Sequence, residues 1–240
     1  MNDNLVLISG KSATGKSASL EGLKNPGGVV YLNCENNKKL PFQSKFGYSL
    51  NITHPSTIYE AFQQAETEIE DSHTIIVDTL TYLMDMYETQ CVLTSSNTMQ
   101  AWGEYAQYFK RLMQNYVATS SKNILFLAHT SDVYNESELA QETLVKVKGS
   151  LMNQGIESYF STVISSKKMT LKNLKKYEND LLTITSDDEE VGFKYVFQTK
   201  LTKETVNERI RSPIGMWSTE ETFIDNNAQL VIDRLHNYYN

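Results

Sequence analysis

The stretch GKSATGKS at residues 10–17 matches the phosphate-binding pattern G-x-x-x-x-G-K-[ST] at every specified position. Two glycines let the backbone curl around an anion, so that successive N–H groups point at the phosphates of a nucleotide. Lys16 brings charge to the β- and γ-oxygens, and the Ser17 hydroxyl ligates Mg²⁺. The predicted nucleotide-binding residues are Gly10, Lys11, Ser12, Ala13, Thr14, Gly15, Lys16, Ser17 and Ala18.

The flanking sequence places this loop between a strand and a helix. Residues 5–8 form a short apolar run typical of a buried parallel strand, and residues 17–23 can continue as a helix whose N-terminus faces the phosphates. Further apolar runs predict strands at 29–32, 74–77, 123–128 and 162–165. Helical spacing predicts helices at 57–70, at 149–159, at 228–239, and around an apolar stripe from Met99 to Tyr116 that we expect in the core.

The pattern changes after residue 166. Two alternating segments, 181–185 and 193–199, flank the acidic turn 187–190 and predict a β-hairpin. The sequence therefore predicts an α/β fold with a mostly parallel central sheet, helices on both faces and a C-terminal antiparallel β-hairpin. We expect residues 1–240 to form a single domain, with a core at about 4–211 and a helical tail at 212–240.

Composition narrows the class of protein. A chain of 240 residues with 40% hydrophobic content supports a substantial core. No apolar run reaches the length of a membrane span, the N-terminus lacks the basic start of a signal peptide, and two distant cysteines do not form a metal or disulfide framework. We expect a cytoplasmic protein that has no membrane partner. The net charge of −7 argues against coating nucleic acid by bulk electrostatics but leaves room for a local basic groove.

Two carboxylates follow predicted strands. Asp78 ends the strand at 74–77, at the rim where α/β folds bind ligands, and there it can hold the water shell of the Mg²⁺ that Ser17 contacts. Its alternative role is a helix cap. Glu35 follows the strand at 29–32 and could orient the water that attacks the γ-phosphate, or it could be a solvated loop carboxylate.

Three further side chains are candidates for phosphate contacts. His129 ends the strand at 123–128 and could sense the γ-phosphate, although a lone histidine is often structural. Arg209 and Arg211 alternate around Ile210, so an extended segment places both on one face. The planar arginine fork suits a phosphate, and the alternative is a pair of surface arginines.

Lys16, Glu35, Asp78 and His129, in this order, resemble the RecA-like branch of P-loop ATPases, which includes recombinases and ring helicases. Within that branch, the chain looks most like the small phage-encoded, core-only ATPases of single-strand annealing and recombination. The resemblance covers about residues 4–211 and implies ATP and Mg²⁺ as ligands, a catalytic role for Glu35, and the cytoplasm of the phage host as the location. His129 is a histidine as in ring helicases, where recombinases more often carry glutamine.

The resemblance also implies partners. In RecA-like assemblies the ATP site lies between subunits of a ring or filament, and Arg209 or Arg211 matches the position of the basic finger that a neighbour donates. Residues 89–98 and 131–148 lie where the family keeps its DNA-binding loops. The first has no lysine or arginine, and the second has Glu136, Glu138 and Glu142 against Lys146 and Lys148, which argues against strong DNA binding there. The lysine cluster at 167–176 is an alternative site for contact with the DNA backbone.

The resulting prediction is a Mg²⁺-dependent, RecA-like ATPase that binds single-stranded DNA as an oligomer in DNA recombination or single-strand annealing, with a single-strand DNA-binding protein as a candidate partner. One alternative is a small-molecule or nucleoside kinase, although the sequence lacks the Arg-rich lid of such enzymes. The other is an ATP-driven assembly switch without DNA. The second alternative agrees with the acidic balance of charge.

Overall fold

A nine-stranded sheet forms the centre of the computed structural model, which describes residues 2–136 and 139–239. The strands are β1 Leu5–Gly10, β2 Val29–Asn33, β3 Tyr48–Asn51, β4 Thr74–Asp78, β5 Asn123–Asn135, β6 Ala140–Val145, β7 Thr162–Thr170, β8 Phe193–Gln198 and β9 Phe223–Asp225. The helices are α1 Thr57–Thr67, α2 Leu80–Tyr87, α3 Thr98–Arg111, α4 Gly149–Gln154, α5 Leu171–Leu174, α6 Ser186–Val191 and α7 Ala228–Tyr239.

The sheet has the order β3-β2-β4-β5-β1-β7-β8-β9, and β6 pairs with the extension of β5. Pairing is parallel from β3 to β7 and antiparallel from β7 to β9. Every residue of β1, β2 and β4 is buried, as expected for central parallel strands covered on both faces. The predicted α/β class, the five parallel strands and the antiparallel C-terminal strands are confirmed.

The two faces of the sheet carry separate core clusters. One side packs on α1, α2 and α3, with Phe62, Phe109 and Phe126 among its buried side chains. The other side packs on α7, with Phe197 and Leu235 among its buried side chains. The predicted helix 228–239 is confirmed as α7. Within the described residues, no helix has the length and apolar character needed to cross a membrane.

The predicted helix at 17–23 is wrong. The P-loop is followed by a short 3-10 helix, Ala18–Leu20. Another short 3-10 helix occupies Pro26–Gly28. The physical reason is the short distance to the glycine and proline that follow, because too few residues remain for a nucleated α-helix. The helix predicted at 149–159 is also divided: α4 ends at Gln154, the next residue Gly155 has a φ of +73°, and a 3-10 helix covers Ile156–Tyr159.

The predicted hairpin between 181–185 and 193–199 has the wrong first strand. The acidic stretch is helix α6, which begins with a capping box formed by Thr185 and Asp188. A capping box satisfies the backbone N–H groups at a helix start, so it favours the helix over the turn. β8 instead pairs with β7, which runs to Thr170, and with β9.

Other segments also differ from their predicted form. Met99 is 87% exposed because it lies in the first turn of α3, away from the sheet, whereas most of the remaining stripe is buried. Residues 89–98 include a π-helical continuation of α2, Glu88–Val92. The predicted loop 131–148 contains the antiparallel pair β5–β6, and Glu138 lies outside the described residues.

Candidate nucleotide-binding site

The register of the parallel strands brings the predicted site residues to one edge of the sheet. Gly10, at the end of β1, pairs with His129 of β5. Asn33, at the end of β2, pairs with Asp78 of β4, and Glu35 follows two residues later. Because parallel strands end at the same edge, residues that are far apart in the sequence surround the P-loop.

A cavity of about 340 Å³ lies at this edge. The P-loop residues 12–18 line one side, and Glu35, Asp78 and His129 line another. Tyr31, Lys38, Lys39, Leu40, Pro41 and Tyr195 complete the lining. Seven of the nine predicted nucleotide-binding residues, and four of the six predicted catalytic residues, thus share one cavity.

The P-loop adopts the curled form that the glycine pattern predicts. Gly15 has a φ of +93°, a conformation that favours glycine, and Ala13 has a φ of +59°. The ammonium group of Lys16 donates to the carbonyl oxygens of Gly10 at 2.9 Å and Lys11 at 2.8 Å. The cation is therefore held at the centre of the loop, where the anion of a nucleotide would meet it.

Ser17 and Asp78 form the arrangement expected for Mg²⁺. The Ser17 hydroxyl donates to Asp78 Oδ2 at 2.9 Å, and the Tyr31 hydroxyl donates to the same oxygen at 2.9 Å. Asp78 Oδ1 is buried and has no hydrogen-bond partner among residues 2–136 and 139–239. An orphaned carboxylate oxygen beside a serine hydroxyl fits a hard cation, which takes oxygen ligands and keeps several waters. The residues present therefore fit Mg²⁺.

A chain of hydrogen bonds joins Lys16 to Glu35. Lys16 Nζ lies 3.3 Å from His129 Nδ1, and His129 Nε2 lies 3.1 Å from Glu35 Oε1. An ammonium group can only donate, so Nδ1 accepts and Nε2 carries the hydrogen that is donated to Glu35. Lys38 Nζ binds the other oxygen, Glu35 Oε2, at 2.8 Å. Both oxygens of Glu35 are thus held by positively polarised groups.

These contacts change the ionisation of the site. The hydrogen bond from His129, together with Lys38, lowers the pKa of Glu35 to about 2, against the opposing effect of burial. Burial lowers the pKa of Lys16 to about 8, although Asp78 and Glu35 act in the opposite direction. Burial, followed by the charge of Glu35, raises the pKa of Asp78 above its ordinary value.

A second cavity of about 330 Å³ adjoins the first and shares Ser12 and His129 with it. Its other lining residues come from β5, from α2 and the π-helical segment after it, from α3, and from the chain that follows β6. They include Tyr82, Tyr105, Asp85, Glu88, Lys146 and Lys148. The ring of Tyr82 packs edge-on against His129, with 5.8 Å between the ring centroids. His129 therefore contacts both cavities.

Arg209 and Arg211 lie elsewhere. Both are exposed and flank the buried Ile210, as the alternation predicts, and they line a different cavity together with residues 154–158. Arg209 forms an ion pair with Glu142. Among the residues the structure describes, neither arginine lines the P-loop cavity of its own chain. Their predicted role therefore depends on a neighbouring subunit and stays a prediction.

Two lysines of the cluster at 167–176 form contacts with other side chains of the chain. Lys167 pairs with Glu208 at 2.5 Å, and Lys168 lies over the ring of Phe193, 3.6 Å from its centroid. Lys172, Lys175 and Lys176 are exposed.

Sequence reasoning missed Tyr31 and Lys38. Tyr31 lies inside a predicted strand, where an apolar run gave no sign that its hydroxyl reaches Asp78. Lys38 lies three residues after Glu35 in a polar loop, and the spacing alone does not show that its ammonium group binds the carboxylate.

Comparison with known proteins gives a family match over most of the chain. A sequence profile of the AAA domain family matches residues 2–206, which include the P-loop, Glu35, Asp78 and His129. No curated protein sequence matches the chain. Among solved structures, the chain is similar to the flagellar accessory protein FlaH from Methanocaldococcus jannaschii, at 15% sequence identity and a TM-score of 0.36, over 82% of this chain and 77% of that chain.

Proposed function

The chain belongs to the AAA domain family, and from that premise we propose that it is a Mg²⁺-dependent, RecA-like ATPase that couples ATP hydrolysis to single-stranded DNA as an oligomer. The observation that carries the proposal is the position of Glu35. Its carboxylate lies in the P-loop cavity and is linked through His129 to Lys16. A nucleotide-binding loop alone would not need a carboxylate at that point.

The geometry suggests a separate role in ATP hydrolysis for each of these residues. Lys16 and the P-loop N–H groups hold the phosphates, and Ser17 with Asp78 would hold Mg²⁺, which supplies positive charge against the phosphate oxygens. Glu35 aligns a water for in-line attack, so that a bond forms from the water oxygen to the γ-phosphorus. The bond to the β-phosphate oxygen breaks with its electron pair on ADP, and the water proton passes to Glu35 and on to solvent.

The low pKa of Glu35 adds a condition to this scheme. A carboxylate whose pKa is about 2 is a weak proton acceptor. Loss of the hydrogen bond from Lys38 or His129 would raise this pKa and make Glu35 a stronger base. Lys38 lines the same cavity, so a bound γ-phosphate would compete with Glu35 for its ammonium group.

The experiment is the comparison of Glu35→Gln with the wild type. We expect ATP binding within about threefold of the wild type and turnover at least about 100-fold slower, since general-base assistance is worth 10²–10⁴-fold. Glu21→Gln, at an exposed site, is the matched control and should hydrolyse normally. Unchanged turnover in Glu35→Gln would remove Glu35 from the mechanism.

The second cavity supports the DNA part of the proposal. Tyr82 and Lys146 are exposed in it, and single-stranded nucleic acid is bound by aromatic stacking beside cations that contact its backbone. Tyr105 is buried, and Lys148 is paired with Glu88. Since His129 contacts both cavities, a strand bound there could influence the nucleotide. We expect an oligonucleotide to stimulate the ATPase, and Tyr82→Ala with Lys146→Ala to reduce that stimulation, measured as a ratio to the basal rate of the same variant.

The rival lysine cluster provides the comparison. Lys172→Ala with Lys175→Ala removes two positive charges, one more than the tyrosine–lysine pair, from exposed sites in α5 and in the turn that follows it. If this pair loses the DNA effect and the tyrosine–lysine pair does not, the cluster is the contact. A DNA-independent monomer that needs an acceptor would instead indicate a kinase, and a DNA-independent oligomer would indicate an assembly switch.

A further inference from the structure

The carbonyl groups of the P-loop need partners on the outside of the loop. A loop that points its N–H groups inward at an anion must point its carbonyl oxygens outward, and buried carbonyls need donors. The carbonyls of Gly10 and Lys11 are exceptions, because they accept from Lys16 at the centre of the loop. The Thr14 carbonyl accepts from a side chain far away in the sequence. The Gly15 carbonyl accepts from the Ser19 N–H at 3.0 Å and also from a second distant side chain.

Ser166 and Asn226 are these side chains. Ser166 Oγ, in β7, donates to the Thr14 carbonyl oxygen at 2.7 Å. Asn226 Nδ2 donates to the Gly15 carbonyl oxygen at 2.8 Å. Ser166 Oγ also donates to Asn226 Oδ1 at 3.3 Å, so the two side chains that bind the loop are hydrogen-bonded to each other. Contact is close, because a Cβ built on Gly15 would lie 2.5 Å from Asn226 Nδ2.

Asn226 is held in place by the elements on both sides of it. β9 pairs with β8 just before it, and α7 begins two residues after it. α7 is in turn attached to the chain that follows the P-loop, since Lys24 binds Gln229 and Asp233, each at 2.8 Å. The apolar side of α7 is buried against the sheet. The amide of Asn226 is therefore presented to the P-loop by a fixed support.

We propose that Asn226 is a positioning residue of the nucleotide site, whose amide, together with the Ser19 N–H, holds the Gly15 carbonyl outward and so keeps the P-loop N–H groups directed at the phosphates. Asn226 lies beyond residues 2–206, the part of the chain that matches the family. Through this contact, a residue between β9 and α7 supports the nucleotide site. The inference rests on the nucleotide-binding part of the proposed function and needs neither hydrolysis nor DNA.

Thermodynamic reciprocity gives the proposal a second consequence. If the Asn226 contact favours the loop shape that binds phosphates, bound phosphates must favour the Asn226 contact to the same extent. Nucleotide should therefore slow hydrogen exchange at the start of α7 as well as in the P-loop. Asn226→Ala should remove the slowing in α7.

The test uses two asparagine-to-aspartate variants of neighbouring residues. Asn226→Asp keeps the size of the side chain and an oxygen that accepts from Ser166, but it replaces the donor to Gly15 with a carboxylate. Asn227→Asp adds the same charge one residue away and keeps an oxygen that can accept from Gln229. Binding of Mg–ADP and Mg–ATP is measured by calorimetry in about 0.5 M salt, which screens the long-range effect of the added charge.

We expect Asn226→Asp to weaken nucleotide binding at least about tenfold, Asn226→Ala about fivefold, and Asn227→Asp less than about twofold. The thermal midpoint separates positioning from a structural role. A positioning residue reduces the increase in midpoint that nucleotide produces, whereas a purely structural residue lowers the midpoint of the free protein and leaves that increase unchanged.

Three results would overturn the inference. One is binding by Asn226→Ala and Asn226→Asp within twofold of the wild type, and another is an equal loss in Asn227→Asp. Either leaves the proposed ATPase intact. The third is a wild-type chain that binds neither Mg–ADP nor Mg–ATP, which would overturn the proposed function as well.

Discussion

At the scale of single residues, the site is governed by shared hydrogen bonds. Glu35 is held by His129 on one oxygen and by Lys38 on the other. Asp78 accepts on Oδ2 from both Ser17 and Tyr31. Each carboxylate is therefore oriented before a nucleotide arrives, and preorganised groups lose less free energy to reorganisation.

The ionisation of Glu35 predicts part of the acid sensitivity of the protein. Its folded pKa, about 2, is below the ordinary value of 4.5. A depressed pKa stabilises the fold above pH 4.5, and the contribution is lost as the pH falls from there through about 2. We expect the wild type to lose about 1 kcal/mol more unfolding free energy than Glu35→Gln between pH 7 and pH 3, after allowing for solvent screening.

Urea unfolding of both proteins at the two pH values measures this difference. Glu21→Gln, whose carboxylate is exposed, serves again as the control and should follow the wild type. Parallel losses in the wild type and in Glu35→Gln would show that His129 and Lys38 do not stabilise the carboxylate.

The hydroxyl of Tyr31 gives a second prediction at this scale. Tyr31→Phe removes a donor from the buried carboxylate of Asp78, so the unfolding free energy should fall by about 1 to 2 kcal/mol. The matched control is Tyr48→Phe, in which an exposed tyrosine loses its bond to Asp71 and stability should change by less than about 0.5 kcal/mol. Equal effects in denaturant titrations would contradict the special role of Tyr31.

At the scale of elements, the carboxyl edge of the parallel strands assembles the site, and local sequence decides the rest. The end of β1 carries the P-loop, β4 ends in Asp78, and β5 passes through His129. Elsewhere, short-range hydrogen bonds override the alternation of apolar residues. The capping box of Thr185 and Asp188 starts α6 in a stretch whose pattern predicts a hairpin turn.

Alanine substitutions at two glycines test where α6 ends and whether α3 is continuous. Gly192 ends α6 with a φ of +74°, and an added Cβ would meet no described atom within 4 Å, so Gly192→Ala should cost about 1 kcal/mol through the backbone alone. Gly103, inside α3 and equally unobstructed by described atoms, is the control, and Gly103→Ala should gain about 0.5 to 1 kcal/mol. Thermal unfolding compares the two, and a neutral Gly192→Ala would argue against the left-handed end of α6.

At the scale of the whole molecule, the nucleotide site combines parts from most of the chain. It reaches from the P-loop through β2, β4 and β5 to Tyr195 and Asn226. Arg209 and Arg211 are on a different part of the surface from that cavity. If one of them completes a site, it completes the site of a neighbouring subunit.

Mixing two defective variants tests this shared site. Glu35→Gln and Arg211→Ala should each hydrolyse ATP slowly, since one lacks the water-orienting group and the other lacks the finger. In a random mixture, about one quarter of the interfaces combine an intact Glu35 with an intact Arg211, so about a quarter of the wild-type rate should return. The same mixture with Arg209→Ala shows which arginine acts, and no recovery in either mixture would argue against a finger from a neighbour.

The predicted parts of the site share a common property. The P-loop, Asp78, Glu35 and His129 are each next to a short apolar run, and a strand end is visible in a single sequence. The segments predicted incorrectly lie where short elements compete. The 3-10 turn Ala18–Leu20, helix α6 and the pair β5–β6 depend on glycines, caps and partner strands more than on apolar periodicity.

The sequence by itself determined the α/β class, the parallel strands, the P-loop and the residues at the strand ends, because each depends on local pattern and on the rule that parallel strands end together. Only the tertiary structure decided the bonds among them. The links from Tyr31 to Asp78 and from Lys16 through His129 to Glu35 depend on strand register. The amide of Asn226 reaches Gly15 across 211 positions of sequence, because β9 and α7 return the chain to the P-loop. Such contacts are made by packing in three dimensions, and spacing along the chain does not reveal them.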